Sequence, residues 1–355
     1  TQTVTITGKT LQIKLTESAI ALDEVIAIGY GSAKKGNVTG AIAKVNAEKL
    51  EDRATTNIAS SLQGQLAGVE VRSTTGEPGS ELQIRVRGAA SINADATPLY
   101  VVDGIPVDDL GSLNPGDIQS IEVLKDAAST AIYGARASDG VVLVTTKRGK
   151  AGKVEVSYNG YLGIQSLWRN FDFYSPEEYM QLRREAKAHD KGIVDAREIS
   201  IAEALEDEVM QRVWASGKFI DWEKEMFRNA IYHNHDVSVR GGTEKIKVSA
   251  GANYFDQQGM VVTGSGYQKL SLRLNLDFEI SKWISFGINS SYAMTKQDRE
   301  DGNFNDFITS SPLAEIYDAD GKYTKYINSE GNYNPLYRAQ HYGREVSRDN
   351  YRLNF

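Results

Sequence analysis

DIQSIEVLKDAASTAIYGARASDGVVLVTTKRG, residues 117–149, is the stretch on which the fold turns. Ile118, Ile121 and Val123 give a short strand, small residues from Lys125 to Ile132 predict a helix stopped at Gly134, and Val141 to Thr146 resume as an apolar strand. This is a strand, helix, strand unit with little chemistry in it: no Cys, no His, and no carboxylate pair with a proton to move. Long alternating strands begin directly after it. A small α/β element of this kind joined to such strands predicts a stopper attached to a barrel.

Two stretches upstream sharpen the reading: LYVVDGIPVDD (residues 99–109) and IRVRG (residues 84–88). Together with residues 117–149 they resemble the plug domain of TonB-dependent outer-membrane transporters, and within that family the SusC/RagA-type glycan and peptide importers. The fold class this implies is a mixed α/β plug domain followed by antiparallel transmembrane β-barrel strands. Its implied site is the bacterial outer membrane.

The totals set bounds on the reading. At 355 residues the chain has room for two or three domains, and a net charge of −7 with 25% charged residues argues against nucleic acid as a partner. Without cysteine there are neither disulfide staples nor a thiol nucleophile. No apolar run reaches about 18 residues, which excludes a membrane-spanning helix. A transmembrane barrel escapes that test because its strands alternate.

The strands after the plug supply that alternation. In QKLSLRLNLDFEI, Leu270, Leu272, Leu274, Leu276, Phe278 and Ile280 share one face, with Ser271, Arg273, Asn275, Asp277 and Glu279 on the other. Similar strands are expected at Val154 to Ile164, Asp236 to Arg240, Lys245 to Tyr254 and Ile284 to Met294, with a sixth starting near Asn350. The connections alternate in length: long (Trp168 to Tyr232), very short (Gly241 to Glu244), intermediate (Phe255 to Gly266), very short (Ser281 and Lys282) and long (Gln297 to Asp349). Outer-membrane barrels sort short periplasmic turns from longer external loops in this way. Trp168, Tyr254, Tyr267, Trp283 and Tyr292 near strand ends suit interfacial girdles, and each also suits simple core packing. Family barrels have about twenty-two strands, so five or six imply an incomplete barrel and a fragment of a longer protein.

In the long connections, Ser175 followed by PEEYMQLRREAKA (residues 176–188) places Glu178 at the third helical position, a capping box that predicts an external helix. Residues 298–348, rich in Asn, Gly, Asp and Tyr, are expected to cover the rim or to touch substrate or a lid protein.

The chain before the plug divides in two. Residues 1–21 alternate as the end of a small N-terminal β domain and do not read as a signal peptide, so any export signal is expected to have been removed or to lie outside this sequence. Residues 22–36, LDEVIAIGYGSAKKG, join an extended apolar run to a glycine- and lysine-rich linker. A phosphate loop is excluded because its lysine must follow the glycine and precede Ser or Thr. An ordinary strand with a glycine-rich turn is the plain alternative. By resemblance this is the TonB box: Asp23, Glu24, Val25, Ile26, Ala27, Ile28, Gly29 and Tyr30 would add as a strand to a sheet edge of TonB. Residues 37–150 are then the plug and 151–355 the first barrel strands.

Arg85 and Arg87 share one face of their strand, either as solvated arginines or, on the plug reading, paired with acids of the barrel wall. Metal chemistry is weak: His233 and His235 lack a third ligand, and Asp301, Asn303 and Asn305 lack the Gly and the twelfth-position Glu of a calcium loop. No catalytic residue, cofactor or metal is expected. The resemblance implies import of an oligosaccharide or peptide with a SusD-like surface lipoprotein as lid, TonB with ExbB/ExbD as the motor, and outer-membrane lipid around the barrel. A siderophore or cobalamin receptor without a lid, and a soluble or surface β-rich binding protein, are the two rival readings.

Overall fold

The computed structural model describes residues 25–28, 31–34, 42–47, 57–73, 75–80, 82–86, 97–126, 130–168, 171–262, 264–299 and 304–355. The expected β domain of residues 1–21 lies outside them. Val25–Ile28 (β1) and Gly31–Lys34 (β2) pair antiparallel, from Val25 opposite Lys34 to Ile28 opposite Gly31, in a two-stranded sheet of their own.

The stopper is built from β3 (Ile42–Asn46), α1 (Ile58–Leu62), β4 (Val69–Ser73), β5 (Leu82–Val86), β6 (Leu99–Val102), β7 (Ile105–Val107), β8 (Ile118–Leu124) and β9 (Val141–Thr146). Five of these strands form one sheet in the order β3-β8-β9-β6-β7, where only β6 and β9 run parallel; β4 and β5 form a separate hairpin. Apolar faces of both sheets and of α1 meet in one core that includes Leu62, Ile84, Ile118, Ile121 and Val123. The β6 to β7 turn uses Asp103 and Gly104 at φ 49° and 88°, the left-handed pair that a two-residue hairpin needs and that Asp-Gly accepts at low cost.

The helix expected over Lys125 to Ile132 differs from expectation, and the helical spacing of Ile58, Leu62, Leu66 and Val69, with Gly68 as its stop, is helix only in part. Between β8 and β9 the chain forms a tight 3-10 turn over Ala131–Ala137, with Gly134 (φ 67°, ψ −156°) inside it as a break rather than at its end. α1 ends at Leu62, and Gly64 follows in the left-handed region at φ +73°, so Leu66 and Val69 reach the common core through a turn and not along a helix. Spacing by three or four residues marks positions that face one way; it does not require helix between them.

The wall is a meander of six antiparallel strands: β10 (Gly152–Gln165), β11 (Ala230–Gly242), β12 (Ile246–Gln258), β13 (Gly266–Ser281), β14 (Ile284–Arg299) and β15 (Arg344–Asn354). They extend beyond the sequence expectation at nearly every end, and the register runs without a shift from Ile246 opposite Phe278 to Gln258 opposite Gly266. Their burial is inverted relative to a soluble sheet. On β13 Leu272 and Leu274 are 44% and 40% exposed, while Lys269, Arg273 and Asn275 are 2%, 9% and 2% exposed. Water on the outer face would penalise every one of those leucines. Hydrocarbon does not, and the polar residues then find partners inside.

The two long connections fold together. The first carries α2 (Pro176–Lys191), α3 (Ile201–Ala204), α4 (Glu208–Ser216) and α5 (Trp222–Met226); the second carries α6 (Phe304–Ile308) and α7 (Pro335–His341). The capping box at α2 is complete: the Glu178 N–H donates to the Ser175 hydroxyl at 3.1 Å and the Ser175 N–H donates to the Glu178 carboxylate at 2.8 Å. Those contacts hold the Glu178 carboxyl below its usual range. At α3 the pairing with Lys191 and the Ser200 cap bring Glu203 down to about 2. Leu313 of the second connection is fully buried among Met180, Leu205 and Val213 of the first, and Phe307, Ile316 and Leu336 enclose Trp222 and Met226. Polar bonds tie the same seam: Trp222 Nε1 donates to the Ser311 carbonyl at 2.9 Å, and the Ser329 N–H donates to Asp207 at 2.6 Å. What composition suggested was rim cover is a lobe with its own core.

Candidate functional site

The stopper meets the inner face of the wall through polar groups, with Lys269 and Arg273 on the wall and Arg148 on the stopper as the cations nearest the 111–117 turn and its flank. Lys269 donates to the Gly111 and Leu113 carbonyls at 2.6 Å each. Arg273 forms an ion pair with Asp117 at 3.0 Å and donates to its carbonyl at 3.2 Å, both side chains being nearly out of water. Asn275 donates to the Lys147 carbonyl at 3.3 Å, Arg148 pairs with Asp277 at 3.1 Å, and the Asn114 amide donates to Asp236. The 114–117 turn is braced from within the stopper, since Lys147 donates to the Gly116 carbonyl at 2.8 Å. At Gly149 the stopper backbone lies against β12: a Cβ there would come within 2.5 Å of the Val248 nitrogen.

A second contact lies at the loop end of the wall. The β4 to β5 tip reaches β13 and β14, where Arg299 pairs with Glu77 at 2.9 Å and Gln297 donates to the Pro78 carbonyl at 2.7 Å. Gly79, at φ +72°, sits under the Tyr267 ring with no room for a Cβ. Tyr267 is therefore on the stopper side of the wall, in the packing role that was its alternative to a girdle position. Trp168 and Trp283, 99% and 94% exposed, lie at opposite ends of the strands. Gly79→Val is expected to lift this tip from the wall, read as faster proteolysis between residues 75 and 80 in outer-membrane preparations; an unchanged cleavage rate would show that the tip is held by other means.

The expected site residues fall as follows. Of the TonB-box stretch, Val25, Ile26, Ala27 and Ile28 form β1, while Asp23, Glu24, Gly29 and Tyr30 lie outside the described residues. Arg85 stands opposite Glu70 in the β4/β5 pair and among the described residues makes no ion pair with the wall. Arg87 lies outside them. Parity along β13 and β14 did mark which wall residues face inward, yet nothing in the sequence marks Asp117 or Glu77 as their partners. His233 and His235 lie 5.3 Å apart between ring centres on the outer face, with His235 Nδ1 2.8 Å from the Tyr158 hydroxyl. No group of three metal-ligating residues occurs among the described residues, and the calcium-like Asp301 and Asn303 lie outside them.

Known proteins share this arrangement. The TonB-dependent Receptor Plug Domain family matches residues 34–141. TonB-dependent receptor P26 of Formosa agariphila is 35% identical over 343 residues, covering 94% of this chain and 33% of that protein. TonB-dependent receptor SusC of Bacteroides thetaiotaomicron is 34% identical over 297 residues, covering 79% of this chain and 27% of that protein. Among solved structures, the RagAB peptide importer in its open-open state superposes with a TM-score of 0.75 at 27% identity, over 88% of this chain and 38% of that one. The chain belongs to the SusC/RagA-type TonB-dependent transporters. It spans about a third of the length of the curated relatives it matches. As a SusC/RagA-type chain, it combines a plug with antiparallel strands of an outer-membrane barrel, and the leucine face of β13 is the lipid face.

Proposed function

We propose that this protein imports an oligosaccharide or a peptide across the outer membrane, with a SusD-like surface lipoprotein as lid and TonB, energised by ExbB/ExbD, pulling on residues 23–30. Residues 22–36 then serve as coupling segment and linker, residues 37–150 as the plug, and residues 151–355 as part of the barrel. The observation that carries this reading is the plug seated by polar contacts inside an inverted wall. Such contacts exchange for water at modest net cost, whereas an apolar seal of equal area would resist withdrawal. A relative named a TonB-dependent receptor supports the coupling, and a structural neighbour named a peptide importer supports the peptide alternative.

The test uses the full-length protein extracted from outer membranes in detergent. Affinity purification is expected to bring down a surface lipoprotein, and cells are expected to accumulate a labelled oligosaccharide or peptide only when both this protein and TonB are present. Accumulation that persisted without TonB would overturn the reading.

A further inference from the structure

On the external side the two long connections enclose a cavity of about 780 Å³, within the range of sites that hold small ligands. Its walls are largely aromatic: Phe173, Tyr174, Tyr179 and Phe219 line it, and Trp222 closes it. Because the Trp222 indole is fixed to the Ser311 carbonyl and buried, that wall is held open by the lobe core rather than free to collapse.

The polar lining has one sign. Three carboxylates, Asp172, Asp221 and Glu223, face one ammonium, Lys224. Asp221 and Lys224 satisfy each other at 2.6 Å. Glu223 accepts from the Phe171 N–H through Oε2 at 2.8 Å, which leaves Oε1 for a ligand. Asp172 is exposed and makes no ion pair among the described residues. What the cavity still offers is therefore anionic acceptors set beside aromatic faces. A ligand that fits must bring donors and positive charge next to an apolar group, since aromatic faces attract cations and a carboxylate pairs with them. An anionic ligand is repelled, and a neutral sugar donates hydrogen bonds to the carboxylates without the charge pairing that a cation adds.

We propose that this cavity binds a peptide segment in which a lysine or arginine adjoins an apolar residue. The inference rests on the external placement of the lobe in the transport reading and not on coupling to TonB. The cationic side chain pairs with Asp172 and Glu223, and the apolar neighbour lies on Tyr174 and Phe173.

The test measures binding of two blocked pentapeptide amides, Ala-Phe-Lys-Phe-Ala and Ala-Phe-Glu-Phe-Ala, to the detergent-purified full-length protein. The lysine peptide is expected to bind about tenfold more tightly than the glutamate peptide, and the double variant Asp172→Asn with Glu223→Gln to lose about tenfold for the lysine peptide alone. Glutamine at 223 retains the acceptor for the Phe171 N–H, and position 172 is exposed, so the lobe stays folded. Tyr174→Ala, also at an exposed side chain, is expected to weaken the lysine peptide without altering the charge preference. Equal affinity for the two peptides would overturn the proposal, as would a double variant that binds the lysine peptide like the wild type. Should peptide binding hold while TonB-dependent accumulation fails, the transport reading falls and the cavity assignment stands.

Discussion

Deleting residues 23–30 is expected to abolish uptake while capture of cargo at the cell surface stays at the wild-type level. β1 and β2 form a sheet of two strands, bonded to no other strand among the described residues. A lone hairpin is marginally stable in water, so β1 can leave β2 at small cost. Released, it presents a row of backbone donors and acceptors to the sheet edge of a partner, with main-chain bonding supplying the affinity. Ile26→Pro removes one of those donors and is expected to lower uptake strongly with the rest of the segment in place. The measurement compares labelled cargo inside energised cells with cargo bound to cells depleted of energy. Normal accumulation in the deletion strain would end the assignment of the coupling segment.

Arg273→Met is expected to have the next largest effect, on how firmly the plug is seated. The substitution leaves Asp117, 8% exposed, without its ion-pair partner. Removing one partner of a buried pair typically costs about 3–5 kcal/mol, because the remaining charge keeps its desolvation penalty. Replacing both, as Arg273→Met with Asp117→Leu, should recover most of that loss. Single-channel recording of the full-length protein in planar bilayers is the readout: frequent openings in the single variant and a quiet baseline in the double variant are expected. A single variant as quiet as the wild type would show that the Lys269 bonds to Gly111 and Leu113 suffice to hold the plug.

The wall was legible in the sequence because its physics is local. Side chains alternate with a period of two, so Leu270 to Ile280 declare their face without knowledge of any neighbour. The capping box at Ser175 is likewise contained in four residues. The plug contacts were not legible. Parity puts Arg273 and Lys269 on the inner face, but the carbonyls of Gly111 and Leu113 that they meet carry no side-chain signal at all. Sequence reasoning left Arg85 and Arg87, where the charge pattern is visible, open between solvated arginines and partners of the wall. Among the described residues, cations that join plug and wall include Arg273, Lys269 and Arg299 on the wall and Arg148 on the plug. Tyr267 stayed open between two positions for a related reason, since an aromatic at a strand end suits a lipid interface or a plug tip equally well. The external lobe was hidden because Leu313 completes a core whose other buried members lie a hundred or more residues earlier.

That same lobe constrains how the wall can be assembled. Its two halves emerge above β10/β11 and β14/β15, with four membrane strands between them in the chain. Slipping one hairpin by two residues would keep every leucine on the lipid side, so the bilayer itself cannot detect the mistake. It would, however, displace one half of the lobe from the other by about 7 Å, pulling Leu313 out of its socket. The clasp outside the membrane thus proofreads an error to which the hydrocarbon is blind.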